Sequence, residues 1–172
     1  YEFLKKSGLP YIATWATVDL FRDDEPNFAG SFGVSSTRSG NFVVQNSDLI
    51  ISLGSRLDTH EVGSNASKFA PLAKKIIIDI DESELNKDNG MIADVKFCCD
   101  LKSFLEVLNT KEIHTQNFEP WIKKISDWRR KYPACLPVYY DQDTVVSITK
   151  ESFDEVMDHA FEEDSTTSSS WY

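Results

Sequence analysis

Little in this sequence is basic, no stretch is long and apolar, and its seven glycines never fall in the G-x-G-x-x-G spacing of a phosphate-binding loop. Each shortage excludes something. A membrane-crossing helix needs about 20 consecutive apolar residues, and no such run exists here; no membrane partner is expected. Against 28 Asp and Glu stand 18 Lys and Arg, a formal net charge of −10. Nucleic-acid binding needs clustered cations to neutralise phosphates. The most basic stretch, KKISDWRRK at 123–131, reads as the polar face of a helix instead. Cys98, Cys99 and Cys135 form no CxxC pair. Adjacent cysteines on a strand point to opposite faces, so a shared metal is not expected. Buried, reduced thiols in a cytoplasmic protein are the expectation. His60, His114 and His159 lie far apart, and no Ser-His-Asp, HExxH or Walker pattern occurs. No catalytic residue and no metal ligand is assigned.

What is present points to an α/β fold. The 172 residues and 41% hydrophobic content suit one ordinary domain with extensions. YEFLKKSGLP at the start reads as the back half of a helix closed by a glycine cap and a proline, which leads us to expect a piece of something longer. PYIAT is a first short strand, and residues 15–37 are expected to be mostly loop, with one helical turn at VDLF. STRSGNFVVQNS suits a short helix capped by Ser36 or Thr37. DLIISLG and KKIIIDID are continuous apolar runs, the pattern of parallel strands covered on both faces. DESELNK is a turn or a single helical turn, and VKFCC is a further strand. Asp100 caps a helix whose Leu101, Phe104, Leu105 and Leu108 share one face. Strands alternating with helices predict an open parallel sheet flanked by helices. Trp121, Ile125, Trp128 and Tyr132 fall at helical spacing before Pro133, a packing stripe. LPVYYDQDTVV is linker-like, TKESFDEVMDHAFEED an acidic amphipathic helix, and STTSSSWY a loose tail.

In an open α/β sheet, ligands sit outside the carboxyl ends of the strands. DLIISLGSRLD places Gly54, Ser55, Arg56 and Asp58 there. Glycine permits close backbone approach, and a guanidinium can grip a phosphate with two donors. Asp79 and Asp81 end the next strand, where a carboxylate can accept from ribose hydroxyls. The competing reading is local: Arg56 pairs with Asp58, and the aspartates cap helices.

GLPYIATWATVDLFRDDEPNFAGSFGVSSTRSGNFVVQNSDLIISLGSRLD, then KFAPLAKKIIIDIDESELNK and DLKSFLEVL, resembles the central domain of thiamine-diphosphate-dependent enzymes of the acetolactate synthase type. The resemblance runs in order from about residue 2 to about residue 109. It implies a Rossmann-like parallel sheet lying between a pyrimidine-binding and a diphosphate-binding domain, the partners of this one, in a homo-oligomeric parent. The sheet's first strand would lie mid-sheet and precede Tyr1. Thiamine diphosphate and Mg²⁺ would be held by the two flanking domains, and FAD by this one. Residue by residue, Thr14 and Trp15 fall near the flavin nucleotide. Gly54, Ser55, Arg56 and Asp58 fall at ribityl and phosphate, and Asp79, Ile80 and Asp100 on the adenosine side. Ser35 and Ser36 stand where the synthases carry His-Gly, and Cys99 where they carry glycine. The implied reaction is decarboxylation of a 2-keto acid, with transfer of the remaining carbon unit to an acceptor. Residues 1–110 are expected to be the central domain, 111–140 a helical extension and linker, and 141–172 the acidic helix and tail. Two other readings stay open: a structural domain that binds no nucleotide, and a stand-alone NAD- or FAD-binding module.

Overall fold

The computed structural model describes residues 1–111 and 117–134. These fall in one compact unit, Tyr1–Ala134. The expectations for 135–172, including the linker, the acidic helix and the tail, lie outside the described residues.

The chain opens with α1 (Glu2–Ser7), ended by Gly8 in the left-handed conformation at φ 65°. β1 (Tyr11–Ala13) follows, then a 3-10 segment over Trp15–Leu20. Next come β2 (Phe28–Ser31) and α2 (Arg38–Gln45). Thr37 caps α2 by accepting from the Gly40 amide, one of the two caps the sequence offers. β3 (Leu49–Leu53), α3 (Thr59–Val62), β4 (Lys74–Asp79), α4 (Glu82–Leu85) and β5 (Val95–Cys98) alternate as expected. α5 (Leu101–Asn109) is capped by Asp100, and α6 (Glu119–Lys131) closes the described part.

All strand pairs are parallel. The α/β fold of parallel strands flanked by helices is the expected one, but the strands divide into two sheets, β1–β2 and β3–β4–β5. The reason is direct: among the described residues no strand bridges β1 and β3, so each keeps an unpaired edge. Ile12 of β1 and Ile50 of β3 nevertheless pack against one core, built from Phe32, Val44, Leu57, Phe69, Ile77 and Leu85. Lys75 of β4 points into that side and is buried. Its ammonium donates to the carbonyls of Ala70 and Ala73 at 2.8 and 3.0 Å, so the charge is hydrogen-bonded although, among the described residues, no carboxylate pairs with it.

Three expectations need correction. Residues 28–31, read as loop, are a strand. FAGS has no β-branched residue and offers little intrinsic preference. Its order comes from pairing with β1 and from Arg129 of α6, which donates to the Phe28 carbonyl at 2.9 Å. The strand DLIISLG is not covered on both faces. Leu49 and Ile51, with Val95 and Phe97 on β5, remain 36–44% exposed, because α5 buries none of its residues and meets this face mainly through Phe104 on Phe97. Nor are the two described thiols buried: Cys98 is exposed and Cys99 partly so, while Cys135 lies outside the described residues. The α6 stripe is packing, as expected, with Ile125 buried beside Ala29 and Val43 and flanked by Trp121 and Trp128.

Candidate functional site

Register aligns Leu53 with Ile78, Ile78 with Phe97, and Asp79 with Cys98. The carboxyl ends of β3, β4 and β5 therefore lie side by side. Gly54, Ser55, Arg56 and Asp58 continue from the first, Asp79 and Ile80 from the second, and Asp100 from the third.

The turn after β3 is backbone-strained. Gly54 has φ 63°, and two non-glycine residues follow in the left-handed region, Arg56 at 58° and Leu57 at 50°. Each of these costs on the order of 1–2 kcal/mol. Two contacts hold them. The Leu57 side chain is buried in the core, and the Lys87 ammonium donates to the carbonyls of both Arg56 and Leu57. Lys87 also pairs with Glu84 at 3.0 Å, and the Arg56 Nε donates to the other oxygen of Glu84 at 2.9 Å. The hydrogen bond from Lys87, with Arg56 adding to it, holds the Glu84 carboxyl below the usual range against the opposing effect of burial. Arg56 does not pair with Asp58, as the local reading had it. Its side chain is 68% exposed.

The helix-capping part of that local reading is observed. Asp58 accepts from His60 N, Asp81 from Ser83 N and Asp100 from Ser103 N, at 2.8, 2.8 and 2.9 Å. Asp79 accepts from Asp81 N at 3.0 Å. In all four the accepting atom is Oδ1, and among the described residues no donor is bonded to the second oxygen. Ile80 is exposed, and its carbonyl receives a weak contact from the Cys98 thiol at 3.6 Å. Cys99 N donates to the Asp79 carbonyl at 3.0 Å.

Thr14 and Trp15 lie at the end of β1, in the other sheet. Thr14 is buried, with its hydroxyl 3.4 Å from that of Thr17, and the Trp15 ring is exposed. Neither is hydrogen-bonded to the 54–58 turn. The two sheets' carboxyl ends meet instead through the loop after β2. Val34 N donates to the His60 carbonyl at 2.7 Å, and the Asn41 amide brackets Gly33, bonding its N–H and its carbonyl at 2.9 Å each.

This junction forms a cleft of about 170 Å³ lined by Gly33, Asn41, Gln45, Glu61 and Phe69 among others. Glu61 is a residue the sequence reading missed. Burial first, and then the nearby Asp58 carboxylate, push its carboxyl above the ordinary glutamate range. Ser55 Oγ lies 3.5 Å from it. Glu84 and Lys87 were missed as well. A signal was available: Asp58–Glu61 and Asp81–Glu84 both have the D-x-x-E spacing of a helix start. A glutamate at that place is fixed near the turn it follows.

Chemically, the site offers a guanidinium that uses only its Nε among the described residues, carboxylates whose second oxygens have no partner there, and a glycine-led turn. That donor set fits a nucleotide's phosphate and ribose. Residues 1–108 match the family model of the thiamine pyrophosphate enzyme, central domain.

The chain belongs to that family.

Relatives of this thiamine pyrophosphate enzyme central domain include the acetolactate synthase large subunit of Cyanidium caldarium. The two are 28% identical over 152 residues, 83% of this chain and 26% of that protein. The acetolactate synthase isozyme 2 large subunit of Escherichia coli (strain K12) is 31% identical over 136 residues, 77% of this chain and 24% of that protein. Isozyme 1 from the same organism is 30% identical over 136 residues, 79% and 24% respectively. The chain thus spans about a quarter of the length of the curated relatives it matches. The resemblance drawn from the sequence motifs is borne out by these matches.

Proposed function

We propose that this central domain is the nucleotide-holding scaffold of a thiamine-diphosphate-dependent, acetolactate-synthase-like enzyme. That enzyme decarboxylates a 2-keto acid and joins the remaining carbon unit to an acceptor. Thiamine diphosphate, when bound, supplies the electron sink for cleaving the carbon–carbon bond. It and Mg²⁺ belong to a pyrimidine-binding and a diphosphate-binding domain, for the GDG signature that holds the metal does not occur in these 172 residues. The parent is a cytoplasmic homo-oligomer in this reading, and the present chain corresponds to its middle.

The chain's own residues bind FAD. Arg56 takes the phosphate, Gly54 and Ser55 let the backbone approach it, and Asp58 orders the turn as the cap of α3. Asp79 and Ile80 receive the adenosine side, with Asp100 at the start of α5, and Thr14 and Trp15 line the flavin side from β1. The observation that carries this reading is the adjacency of the Gly54–Asp58 turn to Asp79 and Asp100 at the ends of three neighbouring parallel strands. A second reading, a scaffold that binds no nucleotide, is favoured by a specific feature: Arg56 is already paired with Glu84, and three of the aspartates already cap helices.

The enzymatic half is tested on the full-length protein with pyruvate, thiamine diphosphate and Mg²⁺, following CO₂ release and the carboligated product. Turnover that disappears without thiamine diphosphate is expected. No turnover of pyruvate or of any other 2-keto acid in a panel would contradict it.

A further inference from the structure

We infer that Lys87 is a positioning residue for the Arg56 turn: its ammonium holds the strained backbone in place, so that Arg56 can leave Glu84 for an anionic ligand without the turn collapsing. The inference rests on the nucleotide reading of residues 54–58 only for the identity of that ligand.

Three observations combine. Arg56 and Leu57 are consecutive non-glycine residues at positive φ, 58° and 50°, a pair that relaxes unless something holds it. Lys87, about thirty residues away in sequence, donates to the carbonyls of both. It also neutralises Glu84, on which the guanidinium rests. When Arg56 turns to a phosphate, Glu84 would otherwise be left as a partly buried carboxylate without a cation; its side chain is only 19% exposed. Lys87 removes that cost, because it already occupies the other carboxylate oxygen. An ammonium suits this better than a guanidinium, since its compact tetrahedral donors can serve two carbonyls and a carboxylate at once. The Leu57 side chain helps from below by anchoring in the core, but it has no influence on Glu84. Backbone and charge are therefore both controlled from one nitrogen.

Glu84 has the opposite effect on binding. It competes with the ligand for Arg56, so removing its charge while leaving Lys87 on the carbonyls favours anion binding.

The test uses the full-length protein, Lys87→Met and Glu84→Gln, with two readouts. One is FAD affinity by titration. The other is the rate at which trypsin cuts the Arg56–Leu57 bond in the native state, followed by mass spectrometry of that cleavage product. Lys87→Met is expected to weaken FAD by about tenfold, the effect of losing a charge-assisted hydrogen bond, and to speed cleavage after Arg56. Glu84→Gln is expected to tighten FAD and leave that cleavage near the wild-type rate. Unchanged affinity and unchanged cleavage in Lys87→Met would overturn the inference. So would equal weakening of FAD in both variants, which would make the ion pair, and not the hold on the carbonyls, the element that matters. If the wild type takes up no FAD while Lys87→Met still speeds cleavage, the nucleotide reading fails and the positioning role stands. If Lys87→Met does not fold, Glu84→Gln decides alone, and weaker FAD binding there overturns the inference.

Discussion

Replacing Gly33 by alanine removes the simplest support of the junction between the two sheets. Gly33 has φ 128°, and a Cβ placed there would lie 2.6 Å from the backbone oxygen of His60. Backbone in this region costs an L-residue about 1–3 kcal/mol. The clash adds to it. Ordinary contact begins near 3.4 Å, so the loop must retreat by roughly 0.8 Å, enough to break the Val34–His60 hydrogen bond, worth about 1 kcal/mol. The Asn41 bracket on Gly33 leaves the peptide little freedom to rotate away. Together the loss is about 3 kcal/mol, a large share of the roughly 5–15 kcal/mol that stabilises a typical domain. With a urea slope near 2 kcal/mol per molar, the unfolding midpoint should fall by about 1.5 M with the slope unchanged. A shift below about 0.3 M would refute the reasoning, since it would mean that the loop accepts a side chain at this φ without moving.

Other outcomes follow from the same contacts. Glu61 has a raised carboxyl in the folded state, so folding takes up a proton. The stability it contributes is present below the unfolded value near pH 4.3 and is lost as pH rises through the folded one. Glu61→Gln should therefore gain on the wild type between about pH 4.3 and neutrality, and a constant gap across paired urea titrations would contradict this. Ile78 is fully buried while Ile80 is 70% exposed. Ile78→Ala should cost about 2–5 kcal/mol and Ile80→Ala under about 0.5 kcal/mol in the same assay; similar losses would contradict the burial. The edges of β1 and β3, unpaired among the described residues, with the apolar face around Leu49 and Phe97, predict self-association of the 172-residue chain. Sedimentation velocity over a wide concentration range should show it, and a concentration-independent monomer with a sharp melt would count against it.

Much of the fold was legible because its signals are local. The apolar runs at 49–53 and 74–79 declare strands, the pair Ser36 and Thr37 and then Asp100 declare helix starts, and Gly8 declares a helix end. β2 was not legible, since FAGS becomes a strand only through β1 and Arg129, about a hundred residues away. Exposure of Ile51 and Phe97 was hidden for the same reason: an apolar run looks the same whether or not a helix covers it. At the site, strand ends were readable from GSRLD and DID, and their grouping followed from parallel topology. The partner of Arg56 was not readable. Distance along the chain favoured Asp58, while the strained turn directs the guanidinium to Glu84, and only three-dimensional placement shows that Lys87 shares the same carboxylate. Glu61 was missed because the D-x-x-E spacing marks a helix start without showing that its glutamate is buried, as it is here.

The most direct measurement of the central claim is made on the full-length protein purified without added cofactor. An absorbance scan would be followed by denaturation and mass spectrometry of whatever is released, with Arg56→Met carried through in parallel. The account predicts released FAD from the wild type and a clear deficit from Arg56→Met. A colourless wild-type protein that releases no nucleotide, and takes none up when FAD is supplied, would contradict it and leave the strand ends as helix caps alone.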